Sequence, residues 1–320
     1  MFNTPILFLI FKRPDVTAQV FEAIRLAQPS KLYIAADGAR PDKAGEAEKV
    51  AQTRELVLQG IDWPCDVKTL LRETNLGCRM AVSSAIDWFF EHEEAGIILE
   101  DDCLPDQSFF QFCAELLEYY RHDTRIMTIS GTNYQRGKLR GKYSYYFSQT
   151  PYPWGWATWR RAWRMYHTAI AHFEEIMAEP TYRDFTHHAR FNQFRYENIM
   201  NAYYRKNGID SWAYLWGFTN FVNHGLVCRP QENLVKNIGF GPEGTHTTSK
   251  AGKALLETQR IEFPLRHPPY MCLHKEADTF HYEHNLGLYS KRFALSHFKK
   301  RFRKKLKYFF RIMRETRLWI

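Results

Sequence analysis

No glycine-rich phosphate cradle follows the first apolar segment of this 320-residue chain. Residues 6–20 contain no glycine, and G-x-x-x-x-G-K-[ST] occurs nowhere, so a P-loop NTPase and a dinucleotide oxidoreductase both lack their phosphate-binding turn. The glycines at 239, 241 and 244 lie far downstream and read as a loop. H-E-x-x-H and G-x-S-x-G are also missing, which removes the zincin and hydrolase readings. Six cysteines form no C-x-x-C pair and no zinc-like spacing, so reduced thiols in a cytoplasmic protein are expected. Met1–Pro5 carries no basic start for a signal peptide. No apolar run reaches the roughly 18 residues of a membrane helix.

Charge is unevenly spread. Residues 291–320 hold twelve Lys or Arg against Glu315 alone, a net +11, while the other 290 residues carry 32 basic and 34 acidic side chains. The body is near neutral, and its charge offers no footprint for a nucleic-acid partner. In the tail, Leu295, Phe298, Phe302, Leu306, Phe309 and Met313 recur at steps of three and four. That is one apolar stripe on a helix with cations around it, a pattern suited to an anionic membrane surface through residues 291–317 or to packing on the body.

Ile6–Phe11, Lys31–Ala36, Asp66–Leu71 and Ala95–Leu99 read as strands, separated by helical spacings over 16–26, 43–59 and 79–90. This β-α-β-α-β-α-β order predicts an α/β fold with a mostly parallel, doubly wound sheet and helices on both faces. Further on come a helix at 107–121, a strand at 125–129, an aromatic loop at 143–159, helices near 170–206 and a strand at 226–228. The expected division is one domain over 1–248, an extension packed on it over 249–290, and the basic helix over 291–320.

In such sheets ligands bind beyond the carboxyl ends of strands, where strand order reverses. Three strands end in Arg13, Asp37 and Glu100-Asp101-Asp102. Three adjacent carboxylates repel one another unless a cation or hydrogen-bond donors offset them, and Mn²⁺ or Mg²⁺ held largely by substrate phosphates meets that need. The competing reading is an acidic turn leading into the helix at 107.

Lys12-Arg13-Pro14, Asp37, Arg72-Glu73-Thr74-Asn75-Leu76-Gly77, Glu100-Asp101-Asp102, Trp154–Trp159 and the blocks Arg229-Pro230 and Phe240–Gly244 together resemble a GT-A nucleotide-sugar glycosyltransferase. The resemblance is to the N-acetylglucosaminyltransferase I type and its bacterial relatives of polysaccharide and lipopolysaccharide loci, and covers about residues 5–248. It implies a UDP-sugar donor, a glycan or lipid-linked glycan acceptor, and inverting transfer assisted by Mn²⁺ or Mg²⁺; with the basic tail, the expected location is the cytoplasm, at the inner face of the membrane. Arg13 would lie near the base and phosphates, and Asp37 would accept the uracil N–H. Arg72, Asn75 and Gly77 would line the nucleotide pocket. Glu100 would touch the donor sugar, Asp101 the ribose and Asp102 the metal. Asn75 has a second reading as a helix cap, and Asp37 a second one as a turn residue.

One position departs from that pattern. Relatives carry an Asp base after the first Trp of the block Asp210–Trp216, where this chain has Ala213, and a methyl group accepts no proton. Asp210 is then the candidate base, with Glu243 or a histidine as substitutes. Trp154 and Trp156 are candidates for stacking on a sugar, whereas Trp159 and Trp163 read as core positions on a helix. Thr245 and His246, in the glycine-rich loop, would close over phosphates. Two other functions compete: a sugar-nucleotide nucleotidyltransferase, and a catalytically impaired protein that binds a membrane surface.

Overall fold

The computed structural model describes residues 2–239 and 257–288. Thr245, His246, Glu243 and the basic tail lie outside them.

Eight strands form the main sheet: β1 (Ile6–Ile10), β2 (Lys31–Ala36), β3 (Asp66–Leu71), β4 (Ala95–Glu100), β6 (Ile126–Ser130), β7 (Tyr145–Ser148), β8 (Trp156–Trp159) and β9 (Leu226–Pro230). Their order is β3-β2-β1-β4-β8-β6-β9-β7. The pairings make six strands point one way, with β7 and β8 reversed. A small antiparallel pair, β5 (Cys103–Pro105) with β10 (Val235–Asn237), sits beside it. The helices are α1 (Pro14–Ala27), α2 (Glu46–Gln59), α3 (Gly77–His92), α4 (Gln107–Tyr119), α5 (Arg160–Ala171), α6 (Phe173–Ala178), α7 (Ala189–Tyr203), α8 (Trp212–Val222) and α9 (Lys275–His284).

The continuous apolar runs of the first strands follow from burial on both faces. Alternate residues of β1 divide between two cores: Ile6, Phe8 and Ile10 face α1 and α4, while Leu7 and Leu9 face α3, α5 and α8. Tyr33 and Ala35 of β2 join the second core, and Leu32, Ile34 and Ala36 the first. A third cluster, under α5–α9, takes in Tyr282 and Leu288 from the C-terminal part. The first polar residues beyond the carboxyl ends of β1, β2 and β4 therefore emerge along one edge.

Segment 143–159 is not the single aromatic loop the sequence suggested. Its β-branched and aromatic residues build β7 and β8, and β8 is wedged antiparallel between β4 and β6. Trp159 ends β8 rather than riding on a helix. Trp156, expected as the floor of a sugar pocket, is fully buried. Its ring lies 5.5 Å from Trp212, 5.5 Å from Trp216 and 6.3 Å from Trp163, so it packs α5 and α8 onto the sheet. Among the described residues no helix is long and apolar enough to cross a membrane.

Trp156→Ala should lower unfolding free energy by about 3–5 kcal/mol in urea titration. A loss below about 1 kcal/mol would show that this cluster does not hold the second core together.

Candidate functional site

Strand order reverses between β1 and β4, since the chain goes from β1 outward to β2 and β3 and then returns to β4 on the other side of β1. Beyond that point opens a cleft of about 630 Å³ whose lining includes Arg13, Asp37, Arg72, Asn75, Gly77, Glu100 and Asp101. Seven of the residues picked from sequence thus share one cavity, and the carboxylate run does not face bulk water.

Arg13 ties the two sides of the crossover together. Its guanidinium pairs with Asp101 and reaches Asp102 Oδ2 at 3.0 Å. Burial alone would lower its pKa, but the two carboxylates outweigh burial and raise it, so it stays charged. Burial, then the charges of Asp102 and Asp101, push Glu100 up to about 8. Burial raises Asp101 to about 6 against the pull of Arg13. Three acids with one guanidinium leave an excess of negative charge in a poorly solvated corner. Asp102 lies behind Arg13 with a 17% exposed side chain, and its carbonyl accepts from the Ile238 N–H at 2.8 Å. A Cβ on Gly239 would collide with the Asp102 carboxylate, so only glycine lets that strand end pass so close.

The start of α3 uses two carboxylates that come from elsewhere in the chain. Asp37 accepts from the N–H groups of Leu76 at 3.0 Å and Gly77 at 3.2 Å. Asp210 Oδ2 accepts from Arg79 N–H at 3.3 Å. Both occupy the positive end of the helix, where anions are favoured. Asn75 links the same turn to β2, donating to Gly38 O at 2.8 Å and accepting from Gly77 N–H at 3.2 Å. Gly77 has φ +78° and a Cβ there would sit 2.7 Å from Asp210 Oδ2. Burial raises the Asp37 carboxyl, opposed by these backbone donors. A carboxylate offers about four lone-pair directions, so Asp37 keeps acceptor capacity for a ligand N–H while it holds the turn. Arg72 donates to Ser84 Oγ at 2.8 Å, and burial lowers its pKa.

The sequence reading missed the opposite wall. Glu46, with a 3% exposed side chain, accepts from Lys12 Nζ at 2.6 Å and from Arg40 Nε at 2.9 Å. The Arg40 hydrogen bond, followed by that of Lys12, holds its carboxyl down at about 2 despite burial. Lys12, Arg40, Lys43 and Lys49 also line the cleft, giving a basic wall across from the acidic corner. Lys12 belongs to the motif block already noted. Glu46 carried no signal, because a glutamate at the head of a charged helix ordinarily faces water.

Among the described residues no three His, Cys, Asp or Glu converge as a metal cage, and Arg13 already engages Asp101 and Asp102. The donor set is nevertheless all carboxylate oxygen and carries surplus negative charge. It suits a hard divalent cation bound through one or two carboxylates and completed by phosphate oxygens; Asp102 and Glu100 would supply the protein ligands.

No protein-family model matches the chain, and no curated protein matches its sequence. Among solved structures, HddC from Yersinia pseudotuberculosis is similar over 40% of this chain and 57% of its own length, with 10% identity and a TM-score of 0.28. This chain thus spans under two thirds of that protein. UDP-glucose pyrophosphorylase complexed with UDP-glucose overlaps 51% of this chain and 78% of its own length, at 11% identity and a TM-score of 0.32. Its apo form gives 50%, 79%, 10% and 0.29. Overlap of that size carries nothing about the site.

Glu46→Gln tests the basic wall. A carboxyl held below its unfolded value stabilises the fold above the unfolded pKa and loses that contribution as pH falls through the folded one. Solvent at Arg40, 38% exposed, screens the pair, so the variant should be about 1–2 kcal/mol less stable at pH 7. The difference should close between about pH 4.5 and 2. Parallel stability curves from pH 7 to pH 2 would refute the pairing.

Proposed function

We propose that the protein is a nucleotide-sugar enzyme: a metal-dependent inverting glycosyltransferase that moves a sugar from a UDP-sugar to a hydroxyl of a glycan or lipid-linked glycan. One observation carries the reading. Arg13, Asp37, Glu100 and Asp101, from three separate strand ends, meet in one cleft at the reversal of strand order, with Asp102 held against Arg13 beside it, and such sheets bind nucleotides at that location.

In this cleft the cations of Lys12, Arg13 and Arg72 attract the diphosphate. Asp37 accepts an N–H of the base, and Asp101 faces the ribose. A divalent cation at Asp102 would supply Lewis-acid stabilisation of the leaving diphosphate. Glu100 lies nearest the donor sugar. The acceptor hydroxyl has to lose a proton as it attacks the anomeric carbon, and Asp210, beside Gly77 at the cleft edge, is the carboxylate available where Ala213 offers none.

Asp210 is also a helix cap, and this favours a second reading. In a sugar-nucleotide nucleotidyltransferase the attacking group is a sugar-phosphate oxygen that is already ionised, so no protein base is needed. The two reactions differ in product: free UDP in one, pyrophosphate in the other. The glycine-free segment 6–20 supports the first. The basic, apolar-striped sequence 291–317 would bring the enzyme to a lipid-linked acceptor at an anionic membrane face.

Calorimetry should show UDP binding that strengthens with Mn²⁺, and UDP-sugars with acceptor glycans should release UDP. Asp102→Ala should cut turnover about 10²–10³-fold, and Asp210→Asn about 10²–10⁴-fold. Full activity in Asp210→Asn, with none in Asp102→Ala, would remove Asp210 as base. Pyrophosphate release from UTP and a sugar 1-phosphate would establish the second reading instead.

A form ending at Tyr289 should stop pelleting with phosphatidylserine vesicles while the full chain pellets. Equal pelleting would reject the membrane contact.

A further inference from the structure

Past Asp102, the second half of the sheet buries a layer of charge that the donor chemistry leaves unused. Arg229 of β9 is 2% exposed, Arg195 of α7 7% and His281 of α9 4%. Tyr134, Tyr152 and Tyr214, all half-buried, stand over them. The Arg229 guanidinium lies 4.9 Å from the Tyr152 ring and donates to Thr132 O at 3.4 Å and to Thr150 O. Arg195 sits among rings, 5.4 Å from Phe191, 5.5 Å from Tyr214 and 5.9 Å from Phe221.

Neither guanidinium has a carboxylate within 4.0 Å among the described residues, and the Nε of each is buried without an acceptor. His281 pairs through Nε2 with the Tyr152 hydroxyl, and its Nδ1 is likewise buried without a partner. Burial, then Arg229 and Arg195, hold that imidazole neutral. The buried acid of the layer, Asp278, is occupied by Ser148 Oγ at 2.5 Å and Gln149 N–H at 3.1 Å.

Ring faces offset part of the cost of burying a guanidinium. They do not fill its hydrogen-bonding directions, and a buried donor without an acceptor is expensive. The guanidinium fork matches one kind of partner in particular, the paired oxygens of a carboxylate or phosphate.

The layer lies at the same edge as the donor cleft. Ser130, at the end of β6, donates to Tyr152 O at 3.2 Å. The ring of Tyr134 is 6.2 Å from that of Trp154, and β6 and β9 run in the same direction as β4, so their carboxyl ends lie along the edge that holds the cleft. Aromatic faces beside a pair of cations, on the β6–β9 side of β8 along that edge, are suited to a sugar that carries negative charge.

We propose that Arg195 and Arg229, under the wall of Tyr134, Tyr152 and Tyr214, form an acceptor subsite that recognises an oxyanion, a carboxylate or phosphate borne by the acceptor sugar. This rests on the reading of the carboxylate cleft as the donor site. Arg195, which has no hydrogen bond to the protein among the described residues, is the primary anion contact. Arg229 is anchored by two carbonyls and adds charge from below.

The probes are glucuronate, glucose 6-phosphate and uncharged glucose, titrated into the full chain by calorimetry, with UDP plus Mn²⁺ as an independent arm. At least one charged sugar should bind roughly tenfold or more tightly than glucose, and whichever does so identifies carboxylate or phosphate as the recognised group. Arg195→Met should abolish that preference and leave UDP affinity unchanged; Arg195→Lys should retain part of it. Equal affinity for charged and neutral sugars in the wild-type protein would overturn the proposal even if no variant folds. So would an undiminished preference in Arg195→Met. Loss of the UDP arm in the wild-type protein would refute the donor reading separately, because sugar binding is scored without nucleotide.

Discussion

The contact of Arg13 with Asp101 and Asp102 joins the end of β1 to the end of β4 at the point where strand order turns. Without a cation there, three consecutive carboxylates would have to share a corner that water barely reaches, and the sheet edge could not close around a cleft. Burial first, and then the neighbouring carboxylates, raise Glu100 and Asp101 despite the guanidinium. The corner is therefore stable enough to fold and still short of positive charge. In the proposed reading, a divalent cation carrying substrate phosphates would complete it. Arg13 is thus the structural counter-ion of that corner, and in the proposed reading it also faces the diphosphate.

A similar double duty governs the head of α3. Its amides are satisfied by Asp37 and Asp210, which come from the turn after strand β2 and from the turn before α8. This spends the helix dipole on protein carboxylates, so in the proposed reading phosphate recognition would fall to side-chain cations: Arg13 and Arg72 on one side, Lys12 and the α2 wall on the other. The glycine-poor β1–α1 connection is consistent with that choice, since no backbone cradle is built there.

The first half of the fold was legible because burial on both sheet faces writes a plain signal in β1, β2 and β4: short apolar runs, each stopped by a polar residue at the edge where ligands bind. Arg13, Asp37 and Glu100–Asp101 followed from that rule alone. Beyond residue 140 the rule failed. β7 and β8 are four residues each, too short for a period to show, and Trp156 looked like a sugar platform because glycines and small residues flank it. Its neighbours in space, Trp212 and Trp216, lie more than fifty residues away in sequence and only tertiary packing reveals them. Glu46 was hidden for the converse reason. A charged helix start gave no hint that Lys12 and Arg40 would fold over it.

The reversed strand β8 is what separates the two halves of the edge. On its β4 side the sheet is wholly parallel and ends in the acids and cations suited to a nucleotide diphosphate. On its β6 side, parallel and antiparallel strands mix, and the ends supply aromatic rings over Arg195 and Arg229. β8 starts from Gly155 at φ +63°, where a Cβ would meet Val235 Cγ2 at 2.6 Å, and the Trp154 ring before it lies 6.2 Å from that of Tyr134. Because β8 is packed into the Trp156 cluster, the spacing between the two proposed ligand surfaces would be set by a core strand rather than by a loop. A transfer reaction between two bound groups needs that fixed distance, since small errors in the approach of the reacting atoms cost rate steeply.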